Sequence, residues 1–157
     1  MADMNDNQKS KQQKEQARTV NNLKRNAGRI LLAEDDYEMR ALLGESLRMA
    51  GYEVVICSNG WGLLEELGGY VLPGPQHKHV DLVISDIRMP GITGFEILEG
   101  LQDLENCPPI ILITAFGDRE AHERAVQYGA AAMFDKPFDM DELLDKVRNI
   151  DPRVNVK

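Results

Sequence analysis

Val80-Asp81-Leu82-Val83-Ile84-Ser85-Asp86-Ile87-Arg88-Met89-Pro90-Gly91 begins as an apolar run, reads as a buried strand, and stops on an acid beside a Pro-Gly turn. An ionised carboxylate at the end of a buried strand gives up its water, which costs several kcal/mol unless a partner replaces it. Asp86 therefore requires a compensating charge from elsewhere in the chain.

Four other short apolar runs share this design. Arg29-Ile30-Leu31-Leu32-Ala33 runs into Glu34-Asp35-Asp36, and Ile110-Ile111-Leu112-Ile113 stops at Thr114. Ala131 to Phe134 leads into Asp135-Lys136-Pro137, and Tyr52 to Cys57 forms a further strand. Between the strands the apolar period changes to that of helices. Met39, Leu42, Leu43, Leu47 and Ala50 share one helical face behind the N-cap Asp36, and Gly51 closes that helix. Ser58-Asn59-Gly60 offers a turn and an N-cap for a helix through Trp61, Leu63, Leu64 and Leu67, which the stretch from Gly68 to Pro75 is expected to break. Phe95, Ile97, Leu98 and Leu101 mark the next helix. Asp118 caps one through Ala121, Ala125 and Val126, closed by Gly129. Asp139 opens the last, which carries Leu143, Leu144, Val147 and Ile150 and ends at Asp151-Pro152.

Apolar strands alternating five times with helices imply a parallel sheet covered on both faces. In such sheets ligands sit in the crevice outside the carboxyl ends of the strands. The residues there are Glu34-Asp35, Asp86, Thr114 and Lys136. Three acids sharing one partly desolvated crevice repel one another, and a hard cation relieves this. With oxygen ligands only, and no Cys or His at any of these four strand ends, the donor set favours Mg²⁺. Lys136 adds a second compensating charge. Singly, each has a plainer reading: Thr114 as a strand end, Lys136 as a surface lysine. It is their order on successive strand ends that points to a site.

Composition sets bounds around this reading. The 157 residues, 43% of them hydrophobic, suit one domain with a core. No apolar run approaches the roughly 20 residues of a membrane span, and the polar N-terminus lacks a signal-peptide core. Cys57 and Cys107 are too few for a disulfide framework, so a reduced, cytoplasmic protein is expected. Residues 1–27 hold six of the eighteen basic and three of the twenty-six acidic residues, so a mildly basic arm precedes a body of net charge −11. That acidity argues against direct nucleic-acid binding. The expected division is a disordered or weakly helical polar arm over 1–27, a domain over 28–152 and a tail over 153–157. Gly68–His79 is expected as a surface loop, because His77 and His79 lack a third ligand at suitable spacing.

The motifs ILLAEDD, DLVISDIRMPGITG, ILITAFGD and MFDKPF together resemble the receiver domain of two-component response regulators, over residues 29–150. The resemblance implies a flavodoxin-like doubly wound sheet of strand order 2-1-3-4-5. It implies that Asp86 accepts a phosphoryl group from a histidine kinase or phosphotransfer protein. Asp35 and Asp86 would ligate Mg²⁺ directly, Glu34 through water, and Arg88 through its backbone carbonyl. Thr114 and Lys136 would bind the phosphoryl oxygens, and the Lys136-Pro137 bond would be cis. The output would be a switched face formed by the helix after Thr114, the fifth strand and the last helix. That face would serve a downstream partner, a phosphorylation-dependent homodimer, or an output domain if the chain is a fragment of a larger regulator. The domain would be a signalling switch, not a turnover enzyme.

Three positions depart from the pattern. Met133 stands where the family usually has a Tyr or Phe that swings inward, and Arg88 and Phe116 stand where it tunes phosphoryl lifetime. Two rivals compete with the switch. One is a phosphatase of the haloacid-dehalogenase type, which needs a second acid where Arg88 stands. The other is a receiver-like interaction module that works without phosphorylation.

Overall fold

Each expected strand forms, and the alternation of its side chains divides the core in two. The computed structural model describes residues 3–26, 28–71, 79–105 and 107–151. Along these run helix α1 (Asp3–Asn26), strand β1 (Arg29–Ala33), α2 (Tyr37–Met49), β2 (Glu53–Cys57) and α3 (Gly60–Val71). Then follow β3 (Leu82–Asp86), α4 (Gly94–Leu101), β4 (Ile110–Thr114), α5 (Arg119–Gln127), β5 (Ala132–Asp135) and α6 (Met140–Ile150). The sheet is parallel throughout in the order β2-β1-β3-β4-β5. This is the flavodoxin-like order that the motifs imply.

Because side chains alternate along a strand, both faces of the three central strands must be apolar. Leu31, Ala33, Val83, Ile110 and Leu112 pack on one side with Leu63 and Leu67 of α3, Phe95 and Leu98 of α4, and Ala125 of α5. Ile30, Leu32, Leu82, Ile84, Ile111 and Ile113 pack on the other with Leu43 and Leu47 of α2 and Leu143 and Val147 of α6. The register holds the strand ends level: Ala33 lies beside Ser85, Asp86 beside Ile113, and Thr114 beside Asp135. The polar residues that end or follow β1, β3, β4 and β5 therefore emerge along one edge.

The expected caps do their work. The carboxylate of Asp36 accepts the Met39 N–H, Asp118 accepts Ala121 N–H, and Asp139 accepts Asp141 N–H. Asn59 accepts Gly62 N–H at the start of α3. Thr93, which the apolar pattern did not single out, caps α4 by accepting Glu96 N–H.

The elements depart from or extend the expected pattern in three places. α3 runs through Gly68-Gly69 and reaches Val71, within the stretch expected to break it. Glycine in a helix costs only about 1 kcal/mol relative to alanine, and buried Leu63 and Leu67 hold the helix down. Leu42 is 53% exposed, since the buried face of α2 centres on Leu43 and Leu47, leaving Leu42 a residue to one side. Trp61 is 62% exposed and lies against Gly91, whose φ of 85° and missing side chain make room for the indole. The arm forms the 24-residue helix α1, in keeping with its Gln, Lys and Glu content, and its residues 7–19 are all exposed. Residues 72–78 of the expected Gly68–His79 loop, with His77, and the tail 153–157 lie outside the described residues.

Candidate functional site

The crevice gathers its residues through three turns, each fixed by backbone. After β1, Glu34 N–H donates to the Cys57 carbonyl (3.2 Å), and the Asp36 cap starts α2 at once. After β3, Ile87 N–H bonds to the Ile113 carbonyl, and Gly94 N–H bonds back to the Ile87 carbonyl (2.9 Å each). A Cβ at Gly94 would come within 2.6 Å of the Asp86 carbonyl oxygen, so the start of α4 approaches β3 because this residue is glycine. After β5, Lys136 N–H donates to the Thr114 carbonyl (2.7 Å), and the Lys136–Pro137 bond is cis.

These turns bring Glu34, Asp35, Asp86 and Lys136 together. Glu34 is 1% exposed and Asp86 6% exposed, and Asp35 stands at the surface. The Lys136 ammonium donates to Asp86 Oδ2 at 2.8 Å and to Glu34 Oε2 at 2.9 Å. Asp86 Oδ1 accepts the Arg88 N–H at 3.0 Å, and Glu34 Oε1 accepts the Asp36 N–H at 3.1 Å. Burial pushes the Glu34 carboxyl up to about 7, against the lowering pull of its bonds to Lys136 and Asp36; the Asp86 charge pushes in the same direction as burial. Burial alone would lower Lys136, but its hydrogen bonds to Asp86 and Glu34 hold it above the ordinary lysine range. Lys136 thus bonds two buried acids, and a third, Asp35, stands beside them at the rim.

That imbalance fits a divalent metal. One carboxylate oxygen each from Glu34, Asp35 and Asp86 lies within 4.8 Å of the others, an oxygen-only set of the kind hard cations take. Both oxygens of Glu34 are already engaged, which suits the expected contact through water better than direct ligation.

Thr114 ends β4 beside this cluster, buried, with its hydroxyl oxygen accepting the Phe116 N–H at 3.1 Å. The Arg88 side chain turns away from the acids and stacks on the exposed Phe116 ring at 4.5 Å. A cavity of about 370 Å³ opens beside Thr114, walled by Arg88, Phe95, Phe116 and Arg124 among others. Met133 is half-buried against the core beneath α5.

One residue escaped the sequence reading. Arg40, on the first turn of α2, donates through Nη1 to the carbonyl oxygens of Glu34 (2.8 Å) and Asp35 (3.3 Å). Its position four residues beyond the cap Asp36 is the signal that could have pointed to it.

Residues 30–148 match the response regulator receiver domain family. The sporulation initiation phosphotransferase F of Bacillus subtilis is 32% identical over 124 residues, covering 79% of this chain and 94% of that one. The C4-dicarboxylate transport regulator DctD of Pseudomonas aeruginosa is 38% identical over 119 residues, covering 76% of this chain but only 24% of that one. Among solved structures, the response regulator TrrA of Thermotoga maritima, in complex with Mg²⁺-BeF, is 32% identical with a TM-score of 0.66, over 78% of this chain and 98% of that one. The order of the strands, the acids at their ends and the match over residues 30–148 agree: this chain belongs to the response regulator receiver domain family.

Proposed function

We propose that this receiver accepts a phosphoryl group on Asp86 from the phosphohistidine of a histidine kinase or phosphotransfer protein, in a Mg²⁺-dependent reaction in the cytoplasm. The observation that carries the proposal is the Lys136 ammonium held 2.8 Å from Asp86 Oδ2 inside a cluster of three acids. Asp35 and Asp86 are the direct metal ligands in this reading, with the Arg88 carbonyl as a third and Glu34 acting through water. The bound metal supplies charge neutralisation between two anions that would otherwise repel.

An Asp86 carboxylate oxygen attacks phosphorus in line. The new P–O bond forms as the P–N bond to imidazole breaks, and the imidazole leaves with the electron pair and takes up a proton. As charge builds on the phosphoryl oxygens, the Lys136 ammonium follows it, and the Thr114 hydroxyl gives its proton to a hydrogen bond. To do so Thr114 alters its contact with Phe116 N–H, which pulls on the loop leading into α5. The α5–β5–α6 face is the surface such a pull would change. It would present itself to a downstream protein, a second phosphorylated copy, or an output domain in the same polypeptide. Met133 at the usual aromatic position leaves this chain without a ring to swing inward. Reversing the proportions of two states from 1:99 to 99:1 needs about 5.5 kcal/mol of differential stabilisation, within reach of a few charge-assisted bonds.

A dehalogenase-type phosphatase is disfavoured by Arg88, which places no acid beyond Asp86 and stacks on Phe116 instead. Incubation with acetyl phosphate and Mg²⁺, with and without a generic phosphate monoester, separates the readings. A switch gains one phosphoryl group that Asp86→Asn abolishes. Continuous phosphate release from the monoester would favour the phosphatase, and an unmodified protein that also fails to bind beryllofluoride would leave the phosphorylation-independent module.

A further inference from the structure

Among the three acids of the cluster, Asp35 is the one whose carboxylate stands in solvent, yet its oxygen reaches within 4.8 Å of those of Glu34 and Asp86. An exposed acid next to two buried ones is repelled by both, so its place must come from the backbone that carries it. That backbone is pinned from outside the crevice. Nη1 of Arg40, on the first turn of the helix that Asp36 caps, bridges the carbonyl oxygens of Glu34 and Asp35. Arg40 N–H in turn donates to the Asp36 carbonyl (2.9 Å), and the Tyr37 ring lies 5.6 Å from the guanidinium carbon. The three residues Glu34, Asp35 and Asp36 are therefore tied by one arginine through main chain and side chain at once.

We infer that Arg40 is a positioning residue for the metal site: its guanidinium, hydrogen-bonded to the Glu34 and Asp35 carbonyls, holds the β1–α2 turn so that the Asp35 carboxylate faces the cation. This rests on the proposed Mg²⁺-dependent reading of the crevice. The physical reason is geometric. The two N–H bonds of Nη1 are fixed in the guanidinium plane and meet two adjacent carbonyls, whereas a lysine ammonium is a flexible point charge that fixes neither direction. Groups that orient metal ligands without touching the metal typically contribute ten- to a hundredfold in affinity. Because Arg40 acts through the backbone, about tenfold, the lower end of that range, is expected.

The test is titration of the full chain with MgCl₂ by calorimetry, for wild type, Arg40→Gln and Arg40→Lys, with metal-free melting temperatures measured alongside. Acetyl phosphate reactivity is followed at limiting and saturating Mg²⁺. Both variants should bind Mg²⁺ about tenfold more weakly. Each should melt within a few degrees of wild type without metal and recover the wild-type phosphorylation rate once Mg²⁺ saturates. That recovery separates positioning from a general structural loss. Wild-type affinity in Arg40→Lys would show that charge alone matters and would overturn the inference. So would a rate that saturating Mg²⁺ leaves depressed. Should Arg40→Gln fold poorly, Arg40→Lys, which keeps stem and charge, decides the matter alone. Absence of Mg²⁺ binding by wild type would overturn the proposed function and this inference together, whereas equal binding by all three proteins overturns only the inference.

Discussion

The sheet carries a charged cluster at each end, and the two behave differently. At the amino ends of the strands, Arg29 pairs loosely with Glu53 (3.5 Å) and Glu66 (3.8 Å), its N–H donates to Asp81, and His79 bonds Asp81 at 3.1 Å. At the carboxyl ends, Lys136 holds Asp86 and Glu34 at 2.8 and 2.9 Å with Asp35 alongside. Among the described residues both clusters have more acids than cations, so counting charges does not tell them apart. The burial of the acids that pair with the cation's side chain does. The side chains of Glu53 and Glu66 are 47% and 43% exposed, so water screens what Arg29 leaves over. The side chains of Glu34 and Asp86 are 1% and 8% exposed, so only protein groups, a proton or a metal can neutralise them. Asp81, 10% exposed at the amino ends, meets the Arg29 N–H and His79, whereas at the carboxyl ends two sealed acids share one lysine.

The comparison breaks most visibly at Lys136. Lys136→Met leaves two buried acids without their cation and should destabilise the metal-free protein by about 2 kcal/mol, toward the low side of such losses because the acids can take up protons. Urea denaturation at neutral pH in the presence of a chelator measures it, and phosphorylation by acetyl phosphate should fall to near the Asp86→Asn background.

A smaller effect, of opposite sign, is expected at Glu34. Its carboxyl is raised from 4.5 to about 7, so between those values the folded state holds a proton that the unfolded state has released. Metal-free stability should therefore fall as pH rises from 4.5 through about 7, and Glu34→Gln should remove that slope. At pH above 7 the variant should be more stable than wild type without metal, by about 1 kcal/mol, while binding Mg²⁺ more weakly. For the same reason wild-type Mg²⁺ affinity should climb with pH and level off once Glu34 has lost its proton, because metal and proton compete for the cluster. A flat affinity between pH 5.5 and 8 would contradict the assignment of Glu34.

The smallest effect belongs to the opposite end. Glu53→Gln should change stability by less than about 0.5 kcal/mol and leave Mg²⁺ affinity untouched, as expected for an exposed, loosely paired acid. A large loss there would erase the distinction drawn between the clusters.

Much of this was readable in the sequence because its signals are local or periodic. The strands announced themselves as apolar runs closed by a polar residue, and a parallel sheet then brings those closing residues to one edge. Asp36, Asp118 and Asp139 were recognisable as caps because capping depends on the next three residues alone. What was not readable depends on packing between distant segments. The indole of Trp61 lies against Gly91, thirty residues on in the chain. The survival of α3 through Gly68-Gly69 depends on what Leu63 and Leu67 pack against. Asp151, expected only as a helix end, is 5% exposed and sits over Gly28, where a Cβ would strike its carboxylate. The Arg40 bonds run to main-chain carbonyls, and so leave no charge pattern to read.

The central claim is that Asp86 is the reactive acid of a metal-assisted phosphoryl acceptor. Intact-mass measurement after incubation with acetyl phosphate tests it most directly, on wild type and Asp86→Asn, each with Mg²⁺ or with a chelator. The account predicts a gain of one phosphoryl group in wild type with Mg²⁺ and none in the other three samples. Equal phosphorylation of Asp86→Asn, or none of wild type under any donor and Mg²⁺ concentration, would contradict it.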